Sequence, residues 1–187
     1  MKKCLLLSAF YLIALLIPSR HLVAQQQFGH NELFHTVDLG FGLGLDYGGL
    51  VGIKAAYILP FRQVSVFGAA GVQLVGLSWN VGTTFRILPM NKSRTFRPNI
   101  KIMYGINCST YVNGIDEYKD MYTGWTPGIG AELRFGRMKS SGFDVDINIP
   151  IGSDAFNAQV DRMKNDPRLD YVISLPIAFS IGYHREF

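Results

Sequence analysis

Charged side chains recur at two-residue spacing in the second half of the chain. Asp144 and Asp146 stand two apart, and Glu132 and Arg134 do so one segment earlier. Paired carboxylates can act as a general acid and base, or as ligands of a hard metal ion. No histidine accompanies the two aspartates at a fixed spacing, so the pattern favours a network of paired charges over a catalytic or metal site.

The segments that position these residues alternate strictly between apolar and small or polar side chains. Such alternation with a period of two predicts β-strands. Eight such segments, bounded by turn residues, are 34–45, 50–59, 64–74, 79–88, 99–111, 123–135, 143–151 and a last one from about 171 to 187. The third is the least clear, because Phe67 falls on its nominally small face. An even number of antiparallel strands with closed edges predicts an all-β, eight-stranded, up-and-down barrel.

The composition of the two strand faces predicts which face is outside. A soluble barrel would present Lys, Arg, Asp and Glu to water, but the second face is largely Gly, Ala, Ser, Asn and Thr with scattered charges. We therefore expect the apolar face to meet lipid, which makes the barrel a transmembrane one. The charges would then form a network in the lumen, at Lys54, Arg86, Lys101, Glu132, Arg134, Asp144 and Asp146, joined by Asp38, His184 and Glu186. A proton path, a narrow polar channel or a buried acid–base pair remains the alternative to a plugging network.

Aromatic residues are expected at both ends of the strands, where a membrane barrel carries two girdles. One predicted girdle, at the periplasmic ends, comprises Tyr57, Phe61, Phe85, Phe135, Phe143, Tyr183 and Phe187. The other, at the outer ends, comprises Tyr47, Trp79, Tyr111, Tyr122, Trp125 and Tyr171.

The beginning of the chain has the layout of a cleaved secretory signal peptide. Lys2 and Lys3 precede an apolar run from 5 to 17, and Ala24 stands before the expected cleavage point. The predicted organisation is therefore a signal peptide (1–24), a polar lead-in (25–33) and a barrel (34–187). Losing three positive charges and no acid with residues 1–24 takes the formal charge from +4 to +1, which gives no case for nucleic-acid binding. Only Cys108 would remain, so no intramolecular disulfide is expected.

The end of the chain carries an aromatic residue that closes its last alternating segment. This ending resembles the terminal assembly signal of bacterial outer-membrane barrels, with Phe187, Tyr183, Ile181 and Phe179 as the residues concerned. Together with the signal peptide, the eight strands, the Gln25-Gln26-Gln27 start and the glycine-rich strands, it is most similar to the barrel family of the Bacteroidota that includes PorT-like proteins. The resemblance implies the fold, an outer-membrane location and contact with the barrel assembly machinery, while roles within the family vary.

The sequence lacks several motifs that mark enzymatic chemistry. A barrel lipid A deacylase would carry His-x-Ser, and none of His30, His35 and His184 is followed by that serine; Gly-x-Ser-x-Gly, His-Glu-x-x-His and a phosphate loop are missing too. We therefore expect a non-enzymatic outer-membrane scaffold without cofactor or metal, whose outer loops 112–122 and 152–170 recognise lipopolysaccharide or another surface protein. Loop 152–170 is expected to be a solvated loop of mixed charge. The alternatives are a narrow pore or an accessory of a secretion or transport machine and, less favoured, a lipid-modifying enzyme.

Overall fold

Eight antiparallel strands close into one barrel in which every strand pairs with its neighbours in sequence and the first pairs with the last. The computed structural model describes residues 36–60, 62–88, 95–136, 139–169 and 176–187. The strands are β1 (Val37–Gly44), β2 (Gly49–Ile58), β3 (Val64–Val72), β4 (Leu77–Arg86), β5 (Phe96–Thr110), β6 (Asp120–Phe135), β7 (Ser141–Asn148) and β8 (Ala178–Glu186). The predicted all-β, eight-stranded antiparallel barrel is confirmed. The predicted signal peptide and lead-in lie outside the described residues.

The seam between β1 and β8 is closed along its length by main-chain pairing. Phe41 lies opposite Tyr183, and the ladder continues from Asp38 opposite Glu186 to Leu43 opposite Ile181. At the end of the seam the Phe187 amide donates to the Val37 carbonyl at 2.7 Å. Closure therefore leaves neither terminal strand with an open edge.

The connection between β7 and β8 contains a helix where a solvated loop was predicted. This helix, α1 (Asp154–Lys164), begins after Ser153, whose hydroxyl accepts a hydrogen bond from the Phe156 amide at 3.3 Å. It buries Val160 and Met163, and this spacing of three puts both on one helical face. Within the predicted solvated loop of mixed charge these residues thus form a helix, a conformation that was not predicted from the sequence. No helix within the described ranges is long and apolar enough to span a bilayer.

Two strands are longer than the rest, and their boundaries differ from the prediction. β5 has 15 residues and β6 has 16, and both begin three residues earlier than expected. Their register shifts between Ile106 and Cys108, as at a β-bulge. The start of the predicted eighth strand, 171–175, lies outside the described residues, and the strand that the structure describes begins at Ala178.

The barrel is polar inside and apolar outside. Among the described residues, 34 large hydrophobic side chains are exposed, whereas the buried set contains 22 polar or charged residues and only 11 hydrophobic ones. This distribution is the reverse of a water-soluble core. The alternation along the strands therefore directs most of their charges to the lumen, and Asp120 in β6 and Arg185 in β8 are the exposed exceptions.

A small apolar cluster interrupts the polar interior. Phe67, the residue that obscured the third predicted strand, is buried with Leu45, Ala56 and Met103. Its ring lies against Gly82, where an added Cβ would come within 2.7 Å of the Phe67 ring. The inward aromatic thus fits because the neighbouring strand provides a glycine beside it.

Candidate functional site in the barrel interior

A short 3-10 turn, Leu45–Tyr47, joins β1 to β2 and lies inside the barrel. Gly44, Gly48 and Gly49 flank it with φ of 99°, 84° and 146°, values in the region that favours glycine. Asp46 and Tyr47 are both 0 % exposed. We call this segment the inward turn, because it brings a carboxyl group and a phenol into the lumen.

The Tyr47 ring lies over the seam between β1 and β8. Gly42 and Gly182 are paired across that seam. A Cβ at Gly42 would approach the Tyr47 ring to 2.7 Å, and one at Gly182 would overlap it. The ring of Tyr47 therefore occupies space that is free only because both paired residues are glycines.

Tyr47 and Lys54 both bind one carboxylate of β7. The Tyr47 hydroxyl donates to Asp144 Oδ1 at 2.5 Å, and Lys54 Nζ lies 2.6 Å from Asp144 Oδ2. Lys54 Nζ also lies 4.6 Å from the centre of the Tyr47 ring, within the range of a cation–π contact. Each carboxyl oxygen of Asp144 thereby accepts a hydrogen bond, one from Tyr47 and one from Lys54.

Lys101 and Asn148 bind Asp46, the carboxyl-bearing residue of the inward turn. Lys101 forms a buried ion pair with Asp46, and its Nζ lies 2.8 Å from Asp146 Oδ1. Asn148 Nδ2 donates to Asp46 Oδ1 at 3.0 Å and to Ser180 Oγ at 2.9 Å. Asp46, Lys54, Lys101, Asp144 and Asp146 are referred to below as the lysine cluster.

A second cluster of charges fills the end of the barrel at which the chain terminates. It comprises Asp38, Arg86, Arg97, Glu132, Arg134, His184 and Glu186, all buried, and is called the arginine cluster. Arg134 is its centre: Nη2 lies 2.8 Å from Glu186, 3.0 Å from Glu132 and 3.1 Å from Asp38.

The remaining pairs of the arginine cluster surround that centre. Arg86 Nη2 lies 2.8 Å from Glu132 Oε1, and Arg97 Nη1 lies 3.3 Å from Glu186 Oε1. His184 Nδ1 lies 2.8 Å from Asp38 Oδ2. Three guanidinium groups thus face three carboxylates, as buried charges require.

The seven residues of the predicted lumen network all lie inside the barrel, divided between the two clusters. Lys54, Lys101, Asp144 and Asp146 belong to the lysine cluster, and Arg86, Glu132 and Arg134 belong to the arginine cluster. The additional residues Asp38, His184 and Glu186 also lie in the arginine cluster. Alternation assigned these side chains to one face of the strands, and the composition of the two faces predicted that this face is the inward one.

Sequence reasoning missed three interior residues. Asp46 and Tyr47 lie between the first two predicted strands, and Tyr47 was assigned to the outer aromatic girdle; that assignment is wrong, since the side chain is fully buried in the lumen. Arg97 lies just before the fifth predicted strand, 99–111, but it belongs to β5 and its side chain points inward. The glycines around the inward turn were the only signal available, and they do not specify its direction.

The residues of the proposed assembly signal lie on the outward face of β8 and at its end. Phe179, Ile181 and Phe187 are exposed. Tyr183 is half-buried because its ring lies 5.6 Å from those of Phe41 and Phe143. Of the other predicted girdle residues, Phe61 and Tyr171 lie outside the described residues.

The two predicted outer loops meet in a folded cap at the barrel end opposite the C-terminus. The cap comprises the 3-10 turn Asp116–Tyr118, α1 and residues 165–169. The Tyr118 hydroxyl donates to Asp166 Oδ2 at 2.7 Å, and Gln159 Nε2 donates to the Glu117 carbonyl at 3.1 Å. Hydrogen bonds from Arg168 and from Tyr118 hold the pKa of Asp166 below its usual range. The Tyr118 side chain therefore stabilises the cap from within, by joining its two segments.

The chemistry open to the interior is limited by this pairing of charges. In the described part of the chain, no group of three or more His, Cys, Asp or Glu side chains is arranged to hold a metal ion. The lysine cluster differs from the arginine cluster in having three carboxyl groups for two ammonium groups.

Comparison of the chain with protein-family models, with curated proteins and with solved structures gives no match.

Proposed function

We propose that this protein is a non-enzymatic β-barrel of the bacterial outer membrane, exported by a cleaved signal peptide, that acts as a membrane scaffold with a recognition surface on its cap. The observation that carries the proposal is the apolar exterior of a closed barrel whose interior is charged. A soluble barrel that stores an apolar ligand would need the opposite arrangement.

The size of the apolar exterior supports a lipid environment. Monomeric soluble proteins rarely expose contiguous apolar patches larger than a few hundred Å², whereas here exposed apolar side chains occur on all eight strands. In hydrocarbon every backbone polar group needs an internal partner. The continuous ladder from β1 through β8 and back to β1 provides those partners.

The filled interior supports a scaffold rather than a pore. An eight-stranded barrel is just wide enough for its own side chains, and here the inward turn and two charge clusters occupy it. Removing one partner of a buried ion pair typically costs about 3–5 kcal/mol, so the charges hold one another in place. A solute would have to displace several such pairs to cross.

The cap is the surface to which we assign recognition. It combines α1 with the turn between β5 and β6, and its internal hydrogen bonds give it a defined shape. The outward residues of α1 carry charges of both signs at Asp154, Asp161, Arg162 and Lys164. Lipopolysaccharide or another surface or secretion-system protein is the proposed partner, and the barrel assembly machinery is the proposed partner of the C-terminal strand during insertion.

Electrophoresis without and with boiling tests the membrane-barrel proposal. A membrane-fraction protein whose band shifts on boiling is the expected result, because a closed barrel resists detergent until heated. A soluble protein whose band does not shift would refute the proposal.

Conductance in planar bilayers separates the scaffold from the alternative of a narrow pore. The filled interior predicts no stable single-channel steps. Reproducible steps would favour the pore or transport accessory instead. Mass spectrometry of lipid A from producing and non-producing cells tests the remaining alternative, since an altered spectrum would favour a lipid-modifying enzyme.

A further inference from the structure

Asp146 is a fully buried acid whose carboxyl oxygens lack the hydrogen-bond donors that a buried carboxylate needs. It is 0 % exposed, and neither oxygen accepts a hydrogen bond from any described residue. Lys101 Nζ approaches Oδ1 to 2.8 Å but outside hydrogen-bonding directions. Asp144, two residues away on the same face, accepts from both Tyr47 and Lys54. The two aspartates of β7 therefore stand in different chemical situations.

Asp146 and Asp46 of the inward turn share one ammonium group: Lys101 Nζ forms an ion pair with Asp46 and lies 2.8 Å from Asp146 Oδ1, which brings the two carboxyl groups next to each other. Two ionised carboxylates are both acceptors only and cannot bind each other. A carboxylic acid can donate to a carboxylate, so the contact becomes favourable when one proton lies between them. Asp46 is the acceptor of that pair, because Lys101 and Asn148 already donate to it.

The balance of charges around Asp46 and Asp146 favours the binding of one proton. Asp46, Asp144 and Asp146 face Lys54 and Lys101, with the neutral groups of Tyr47, Asn148 and Ser180 completing the surroundings. Among the described residues of the arginine cluster, three carboxylates already match three guanidinium groups. Ionising all three aspartates of the lysine cluster would bury an uncompensated negative charge, which is strongly unfavourable.

We propose that Asp46 and Asp146 form a proton-binding site, in which Asp146 is a carboxylic acid at neutral pH and donates to the Asp46 carboxylate. The bound proton ties β7 to the inward turn, and so helps to keep that turn inside the barrel. The site lies wholly in the interior, so it does not depend on whether the barrel lies in a membrane or in water.

Infrared spectroscopy of the purified, folded protein tests the site directly. The probe is the carbonyl stretch of a protonated carboxylic acid, which is separated from the carboxylate bands and shifts in deuterium oxide. The detergent must lack ester carbonyls. We expect this band at neutral pH in the native protein, its loss in Asp146→Asn, and its retention in Asp161→Asn, where the replaced acid is exposed on α1.

Stability of the variants provides an independent test. Asp146→Asn copies the shape and neutrality of the acid, and its amide can donate to Asp46, so the boiling-induced band shift should need the same temperature as in the native protein. Asp144→Asn places an amide among two donors and should lower that temperature or prevent folding. Either the absence of the acid band in the native protein, or its persistence in Asp146→Asn, would overturn the proposal. So would an Asp146→Asn protein that is as destabilised as Asp144→Asn.

Discussion

Replacing Ile147 by arginine is a test that separates a lipid-facing surface from a water-facing one. Ile147 is the central residue of five outward apolar positions on β7 and its extension, 143, 145, 147, 149 and 151, and its side chain is 40 % exposed between Ile129 and Phe179. Arginine on the lipid face at the bilayer midplane costs about 2–4 kcal/mol. This corresponds to roughly a 30- to 700-fold change in the folding equilibrium, since about 1.4 kcal/mol is tenfold. On a surface in water, such a change usually stays within about 0.5 kcal/mol.

Urea titration of the protein folded in phospholipid vesicles measures this difference. The two tryptophans, Trp79 and Trp125, are exposed on the outward face, so their fluorescence reports both unfolding and contact with lipid. Ile151→Arg is the matched control, because Ile151 lies beyond the end of β7 and a charge near the interface costs only about 0–1 kcal/mol. Equal and small losses of free energy of unfolding for both variants would refute the lipid-facing assignment.

Three further predictions concern the inward turn, the C-terminus and the cap. Tyr47→Phe removes a buried hydrogen bond to a carboxylate and should reduce the free energy of unfolding by about 1.5–3 kcal/mol; a urea midpoint equal to that of the native barrel would contradict the role of the phenol. Phe187→Ser keeps the main-chain closure with β1 but removes an exposed ring. Less protein should therefore reach the membrane fraction, and normal amounts would exclude the ring as an assembly signal. Because hydrogen bonds from Arg168 and Tyr118 lower the pKa of Asp166, their stabilisation of the cap is present above the ordinary aspartate pKa of about 3.9 and is lost as pH falls through the lowered value. Asp166→Asn at neutral pH should reproduce that loss as faster amide hydrogen exchange in α1, and unchanged exchange would show that the contact does not hold the cap.

The barrel was predictable because its strands alternate with an exact period of two. That period places Asp146 and Ile147 on opposite faces, and the composition of the two faces then predicts which one is the lumen. The same reasoning put seven charged residues on the inward face without any knowledge of their partners. The partners themselves, such as Lys101 for Asp46, depend on contacts between distant parts of the chain.

The inward turn and α1 could not be predicted from the local sequence pattern. Tyr47 turns inward because glycines on β1 and β8 leave space for its ring, and β8 lies more than a hundred residues later in the chain. α1 has 11 residues, a length at which an isolated helix is marginal in water. Its stability depends on burying Val160 and Met163. These two apolar residues stand among polar ones, so the sequence does not show a clear helical pattern.

The inward turn also imposes an order on folding. Its two polar residues bind Asp144 and Ser180, which are 97 and 134 positions away in the chain. Contacts of such long range form only after the intervening loop has been closed, at an entropic cost. The turn therefore forms these hydrogen bonds only when β7 and β8 are in place. Its packing inside the lumen is thus one of the last steps of barrel formation. A partly assembled chain would leave residues 45–47 open to a protease that the finished barrel excludes.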